Sequence, residues 1–145
     1  MKHNQILVVG AAIIHQGKVF IAKRATSGTN FGKWEFPGGK IEPHEHEKEA
    51  LKREIREELE WAIIVGPHLS KAHAIINDKN ICLNIYLAEL ISGNLEPKLN
   101  VHSAFRWVLP EELSQYEFPE ADQPAVAKIK TLDLQMAITT MPEYY

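Results

Sequence analysis

The stretch REIREELEW, residues 53–61, places four glutamates between apolar residues at helical spacing. Apolar residues in and around it recur at intervals of three and four positions: Leu51, Ile55, Leu59 and Ala62. This repeat is typical of a helix with one buried stripe. It predicts a helix from His46 to Ala62 that begins without a Ser, Thr or Asp cap.

Three carboxylates of this helix, Glu54, Glu57 and Glu58, fall within about 100° of one another around its axis. Like charges at this spacing repel, so a purely structural interpretation needs them solvated or paired with neighbouring arginines. Glu58, however, lies only about 20° from Leu51, so the row borders the buried stripe. Mg²⁺ prefers oxygen ligands and keeps waters and substrate phosphates in its shell. The row therefore predicts a magnesium site for a phosphate substrate.

The composition is that of one folded domain. The chain has 145 residues, 45% hydrophobic and 24% charged, which predicts a single domain over residues 1–145 with a poorly ordered tail at 139–145. No apolar run reaches the roughly 18 residues of a membrane span, and the first residues lack a cleavage-site pattern. We therefore expect a cytoplasmic protein without a membrane partner.

The net charge of −3 arises in one segment. Residues 40–60 contain eight acidic and five basic residues, whereas the rest of the chain contains eleven of each. A continuous basic face for long nucleic acid is therefore not expected. The expected partner is a small anion bridged by a cation, and the sequence leaves a monomer and a homodimer equally open.

The rest of the chain predicts strands around two helices. Alternating or β-branched segments predict strands at residues 6–14, 19–22, 34–36, 72–76, 81–90 and 104–109, with a loop at 25–33. Pro110 begins a short helical turn. Asp122 can cap a second helix with an apolar repeat of Ala125, Ile129, Leu132 and Met136. The order favours an α/β or α+β fold in which helices pack on a mixed sheet.

Two glycines, Gly38 and Gly39, follow the short strand at 34–36. Without a Cβ atom, the backbone there can approach a ligand closely, and Gly38 could offer its carbonyl to the metal. A plain turn is the alternative interpretation.

The acidic segment has the spacing of a known motif: five residues separate Gly39 from Glu45, and seven separate Glu45 from the run at 53–61. The chain thus resembles the Nudix hydrolases. Through Lys23-Arg24, WEFPGGKIE at 34–42 and FPEADQP at 118–124, it resembles their MutT-like branch along nearly its whole length. The resemblance implies a Nudix α/β/α sandwich with a mixed sheet. Glu60 stands where the family usually has glycine, which predicts a changed turn at the helix end without lost chemistry.

The resemblance implies hydrolysis of a nucleoside triphosphate to a monophosphate and pyrophosphate, with water as nucleophile and a role in sanitising the nucleotide pool. Mg²⁺, or alternatively Mn²⁺, would be held by four groups: Glu54, Glu57, Glu58 and the Gly38 carbonyl. Arg53 would orient the carboxylates by pairing with Glu45. Arg24 would contact a substrate phosphate, a role suited to a permanently charged fork of donors.

Val101 departs from the family at a position where relatives often have a glutamate that supports metal binding or water activation. Valine can do neither, so Glu57 or another group would act as the base. The adjacent His102 is a weak substitute, with a plain surface histidine as the alternative. Val101 and Glu60 together motivate a competing hypothesis, a Nudix-fold module that binds a nucleotide without hydrolysing it.

Asp122 matches a nucleobase-contacting position that is aspartate in the CTP pyrophosphohydrolase type and asparagine in the 8-oxoguanine-selective type. Ionised aspartate only accepts hydrogen bonds, which suits the cytosine amino group and makes a cytosine nucleotide (CTP, dCTP or an oxidised form) the leading substrate. Protonated by burial, Asp122 could also donate, which keeps 8-oxo-dGTP as a second candidate. As a helix cap it would not select a base. Phe36 and Phe118 could stack on the base or belong to the core.

Overall fold

The computed structural model describes residues 5–25, 32–91 and 93–134. Within these ranges the chain forms seven strands: β1 (Gln5–His15), β2 (Lys18–Arg24), β3 (Trp34–Glu35), β4 (Gly38–Lys40), β5 (Ile63–Ile76), β6 (Lys79–Leu90) and β7 (His102–Val108). The described helices are α1 (Glu47–Leu59), α2 (Gln123–Thr131) and 3₁₀ helices at Pro110–Gln115 and Glu120–Asp122.

Strand β1 organises the sheet. It pairs in parallel with β6, which pairs antiparallel with β5. The other edge of β1 is divided, because Val8–Gly10 pair with β4 whereas Ile14 and His15 pair with β2. Strand β2 pairs in turn with β3 and β7, both antiparallel. The predicted mixed sheet is confirmed.

The sheet is apolar on both faces. Successive side chains along a strand point to opposite faces, and neighbouring residues in the central strands are both apolar. Ile14 and Ile21 belong to one buried cluster, which includes Ile129 of α2. Their neighbours Ile13 and Phe20 belong to a second cluster, to which α1 contributes Ala50, Leu51, Ile55 and Leu59. The two helices therefore cover opposite faces, and the α/β/α sandwich is confirmed.

Helix α1 is shorter than predicted. It ends at Leu59 instead of Ala62, because Glu60 adopts the left-handed conformation with φ 55° and ψ 37°. Its N–H still donates to the Arg56 carbonyl at 3.0 Å. A glycine would take the same conformation, so the changed turn expected from Glu60 is not seen.

The carbonyl groups at the end of α1 are satisfied by the segment before β7. The backbone N–H groups of Lys98 and Asn100 donate to the carbonyls of Leu59 and Glu58 at 3.0 and 3.1 Å. The Asn100 side chain donates to the Glu57 carbonyl at 2.8 Å. Because a helix leaves its last carbonyls without internal partners, these bonds fix the end of α1.

Both predicted hairpins form, but β5 begins at Ile63, well before the predicted residue 72. Gly66-Pro67 lies within this strand. The structure absorbs it with register shifts between Val65 and Ser70, and proline is tolerated on an edge strand that needs no N–H there. The turns at Gln16-Gly17 and Asn77-Asp78 have positive φ at both residues, as two-residue hairpin turns require.

Helix α2 follows Asp122 as expected, but the Asp122 side chain makes no capping hydrogen bond and Leu132 lies beyond the helix end. Met136, most of the predicted loop at 25–33 and the predicted tail at 139–145 lie outside the described residues. Among the described residues, no helix is both long and apolar enough to cross a membrane.

Candidate active site

The carboxylate row is held in place by the buried side of α1. The residues Ala50, Leu51, Ile55 and Leu59 are fully buried against the sheet, which turns Glu54, Glu57 and Glu58 toward the edge of the core. Burial varies along the row: the Glu54 side chain is 16% exposed and that of Glu57 is 58% exposed. Glu54 and Glu58 are therefore half-buried, whereas Glu57 is exposed, so the members of the row have different environments.

Arg53 joins the loop before α1 to the carboxylate row. Its Nε and Nη2 donate to the Glu45 carboxylate at 2.6 and 2.9 Å, so the pair expected from the resemblance is present. Its Nη1 lies 3.1 Å from both Glu54 and Glu57, and Nη2 also donates to the Lys40 carbonyl at 3.0 Å. The Arg53 hydrogen bond lowers the pKa of Glu45, so that carboxylate stays ionised.

The two glycines of β4 allow the backbone to lie against α1. A Cβ atom on Gly39 would overlap the Glu54 carboxylate, and one on Gly38 would overlap the Val9 carbonyl of β1. Glycine at position 39 therefore leaves the space that the Glu54 carboxylate fills. The plain-turn interpretation is incomplete, because these residues form a strand paired with β1.

Glu58 is the most unusual carboxylate of the row. Burial, together with the charges of Glu35 and Glu54, raises its pKa to about 8. The Gly38 N–H hydrogen-bonds to this carboxylate and opposes the shift. The Oε1 atom is buried and has no partner among the described residues. A bound cation would relieve both the repulsion and the missing contact.

The oxygen atoms of the carboxylate row suit a hard divalent cation, although Glu54 and Glu57 contact Arg53 in this structure. Within residues 5–25, 32–91 and 93–134, no three His, Cys, Asp or Glu side chains already converge as a metal-binding group. The fit rests on the unpartnered Glu58 Oε1 and on the Gly39 cradle for Glu54. Carboxylate and carbonyl oxygens at this edge are the ligands that Mg²⁺ takes in proteins.

A second polar cluster, which sequence reasoning missed, lies beside the row. Arg24 of β2 donates to Glu35 Oε1 at 2.9 Å, and His102 Nε2 lies 2.8 Å from Glu35 Oε2. The His102 side chain is 1% exposed, so the surface-histidine alternative is wrong. Glu35 had a weak signal, an acidic residue between two aromatic residues in a short strand. Its partners are distant in the sequence, so only the sheet pairing reveals the cluster.

A large cleft of about 1060 Å³ opens beside this cluster. Four of the predicted site residues border it: Arg24, Phe36, Gly38 and Asp122. The opposite wall comes from the β5–β6 hairpin and the start of β1. A smaller cavity of about 240 Å³ is bordered by Glu58 and shares Arg24 and Glu35 with the cleft. The two cavities thus connect the carboxylate row to the cleft.

Asp122 lies at the cleft with a buried side chain, 5% exposed as a residue. Burial, followed by the charge of Glu35, raises its pKa well above the ordinary value, while a hydrogen bond from the Phe36 N–H opposes the shift. Because its side chain caps no helix, the helix-cap interpretation lacks its hydrogen bond. A protonated Asp122 offers one donor and one acceptor.

The two phenylalanines are core residues as placed. Their rings stack on each other at 5.3 Å with an interplanar angle of 24°, and both residues are at most 5% exposed. Phe36 borders the cleft, whereas Phe118 is absent from its described lining. Of the two interpretations, the geometry favours core packing over stacking on a base.

The α/β/α sandwich that carries this carboxylate row and cleft is a fold shared with known proteins. Residues 8–128 match the family model of the NUDIX domain, and the chain belongs to this family. It is therefore a Nudix hydrolase, within a group whose curated members include nucleotide pyrophosphohydrolases.

Three relatives illustrate the similarity. The CTP pyrophosphohydrolase of Escherichia coli (strain K12) is 35% identical over 89% of this chain and 94% of its own length. The 8-oxo-dGTP diphosphatase of the same strain is 35% identical over 91% of this chain and 100% of its own length. The solution structure of the mismatch repair protein MutT from methicillin-resistant Staphylococcus aureus 252 has a TM-score of 0.74 and 37% identity, covering 90% and 98%.

Proposed function

We propose that this Nudix hydrolase is a Mg²⁺-dependent nucleoside triphosphate pyrophosphohydrolase that releases a nucleoside monophosphate and pyrophosphate and sanitises the nucleotide pool. The observation that carries the proposal is Glu58: a half-buried carboxylate with one buried, unpartnered oxygen, next to Glu54 and to a cavity that Arg24 also borders. Two relatives with 35% identity are named for reactions of this type.

The proposed metal ligands are Glu54, Glu57, Glu58 and the Gly38 carbonyl, with Mn²⁺ as an alternative to Mg²⁺. When bound, the ion would neutralise phosphate charge and lower the pKa of a bound water. Arg53 holds Glu54 and Glu57 at the edge of the row. Arg24, which donates to Glu35, is 42% exposed and borders the cleft, is the proposed phosphate-binding residue.

The leading substrate is a cytosine nucleotide, and the raised pKa of Asp122 suggests how the base would be bound. A protonated Asp122 can donate to cytosine N3 and accept from the N4 amino group. The same donor and acceptor also match the O6 and N7–H edge of 8-oxoguanine. The raised pKa of Asp122 therefore supports 8-oxo-dGTP as the second candidate, in line with the two relatives.

The competing hypothesis of a non-catalytic binding module rested on Val101 and Glu60. Because Glu60 takes the left-handed conformation that ends the helix, only Val101 still supports it. Pyrophosphate release from CTP, dCTP, 5-hydroxy-dCTP, 8-oxo-dGTP and dGTP with Mg²⁺ tests the proposal. We expect turnover to be highest for a cytosine nucleotide. An inactive wild-type protein with all five nucleotides would favour the binding module.

Two substitutions test whether Asp122 selects the base. Asn keeps one donor and one acceptor, so Asp122→Asn should preserve the ranking of substrates if the carboxyl is protonated. Asp122→Leu removes both groups and should reduce discrimination about 10–100-fold, since a two-bond contact to a base discriminates by about 1–3 kcal/mol. An equal loss for all five nucleotides would contradict base selection.

A further inference from the structure

The smaller cavity has an unusual lining. It is bordered by Arg24, Glu35, Glu58, Val101 and His102, and its volume is about 240 Å³. This space is large enough for ordered water, which needs two to four polar partners. The Val101 side chain has no polar atom. Among the lining residues at the start of β7, the side chain that can form a hydrogen bond is therefore that of His102.

The imidazole of His102 is oriented by its partners. Its Nε2 lies 2.8 Å from Glu35 Oε2, whereas Glu35 Oε1 receives Arg24. A carboxylate oxygen at this distance accepts a hydrogen bond, which favours the tautomer with its proton on Nε2. In this neutral tautomer the Nδ1 atom keeps a free lone pair.

Two buried atoms of residues that border the cavity have no partner. His102 Nδ1 and Glu58 Oε1 both lack a hydrogen bond to any residue in the described part of the chain. Glu58 belongs to the proposed metal-binding row, where a cation would complete its contacts, which leaves Nδ1 without a donor. Buried polar atoms are nearly always paired, and a water molecule in the cavity can donate to Nδ1.

We propose that His102, oriented by Glu35, accepts a hydrogen bond at Nδ1 from the water that attacks the substrate phosphate. The proposal rests on the proposed pyrophosphohydrolase function. In this proposal His102 activates the water, a role that the Val101 side chain cannot fill. A histidine held by a carboxylate through one nitrogen, with the other nitrogen on the nucleophile, is a recurring catalytic arrangement.

The chemical step balances within this arrangement. The water oxygen forms a bond to phosphorus, and the bond between phosphorus and the leaving phosphate oxygen breaks, with the electron pair staying on that oxygen. The water proton passes to Nδ1, and the resulting imidazolium is stabilised by Glu35. The proton then returns to solvent. The charged groups around the cavity are Arg24 on β2, Glu35 on β3 and Glu58 on α1.

A His102→Gln variant, alone and combined with Val101→Glu, separates this role from a structural one. In His102→Gln, the amide can still donate to Glu35 and hold Arg24, but no acceptor remains at the Nδ1 position. We expect kcat to fall about 10²–10⁴-fold, with KM for the nucleotide and affinity for a non-hydrolysable analogue within about threefold. Adding Val101→Glu to this variant should restore part of kcat, because it supplies a carboxylate beside the same cavity.

The second measurement does not depend on turnover. Long-range ¹H–¹⁵N spectra of the wild-type protein report the imidazole tautomer, and we expect His102 with its proton on Nε2. A proton on Nδ1 would overturn the proposal, as would a His102→Gln variant with wild-type kcat. An inactive wild type would overturn the proposed function together with this role, whereas an active wild type with an active His102→Gln would overturn this role alone.

Discussion

Glu45 and Glu58 lie at two ends of the same acidic segment and have opposite environments. Glu45 accepts two hydrogen bonds from Arg53, which lower its pKa. Glu58 is buried near two other carboxylates, which with burial raise its pKa to about 8, and one of its oxygens has no partner among the residues described. Glu45 is thus paired with an arginine, whereas Glu58 Oε1 receives no hydrogen bond from any described residue.

This difference distinguishes a structural carboxylate from a binding one. A permanent partner such as Arg53 fixes the loop before α1, and nothing further needs to bind there. An unpaired carboxylate shielded from water lowers the stability of the folded protein. Such groups are found at functional sites, where a bound ligand supplies the missing contact. Net acidity alone would not separate the two, since both are glutamates in one segment.

The largest expected effect is on catalysis. Glu58→Gln keeps the size of the side chain but removes the charge, and we expect kcat/KM with Mg²⁺ to fall about 10²–10³-fold. Glu60→Gln is the matched control, because Glu60 lies at the end of the same helix, is exposed, and its side chain accepts a hydrogen bond from Asn100 at 3.2 Å, away from the carboxylate row. Steady-state pyrophosphate release measures both variants. Equal activities would show that the difference between Glu58 and its neighbours has no catalytic meaning.

The next effect is on stability as a function of pH. Because burial raises the pKa of Glu58 to about 8 in the folded protein, above its ordinary value of 4.5, the folded state binds the proton more tightly. The free energy of unfolding of metal-free protein should therefore fall as pH rises from 4.5 to 8. A shift of this size corresponds to at most about 5 kcal/mol.

Denaturant unfolding of wild type and Glu58→Gln across this pH range isolates the contribution. Glu54 and Asp122 also have raised pKa values, so the difference between the two curves is the relevant quantity. Saturating Mg²⁺ should flatten the wild-type curve, because a cation replaces the proton on Glu58. A difference that does not change with pH would contradict the buried, unpaired state of Glu58.

The smallest effect concerns Glu60, which has a left-handed conformation at φ 55°. Glu60→Gly should stabilise the fold by about 0.5–1 kcal/mol, since relief of the left-handed strain outweighs the added chain entropy. Thermal unfolding should show a rise in Tm of about 2–5 °C. Glu60→Ala retains the strain and should give no rise, and a rise of the same size would contradict the conformational explanation.

Helix α1 was predictable because its signal is local. The apolar repeat from Leu51 to Leu59 defines its buried side, whereas the pair of Arg53 with Glu45 was expected only from the resemblance to the Nudix family. The start of β5 was not predictable, because Gly66-Pro67 resembles a break and only pairing with β6 shows that the strand continues through it.

The cluster of Arg24, Glu35 and His102 could not be derived from the sequence for a different reason. Glu35 and His102 are 67 residues apart and meet because β3 and β7 both pair with β2. A histidine surrounded by Asn, Val and Ser gives no local sign of burial. Likewise, the raised pKa of Asp122 depends on burial and on the charge of Glu35, which no sequence pattern records.

The segment that ends α1 also leads into β7. Lys98 and Asn100 are bonded to the last carbonyls of the helix, and His102 follows two residues later at the start of β7. The short segment from Lys98 to His102 thus fixes the spacing between the carboxylate row and His102. Variation in the length of the β6–β7 connection is therefore tolerable before Lys98, whereas a single insertion after it would change that spacing directly.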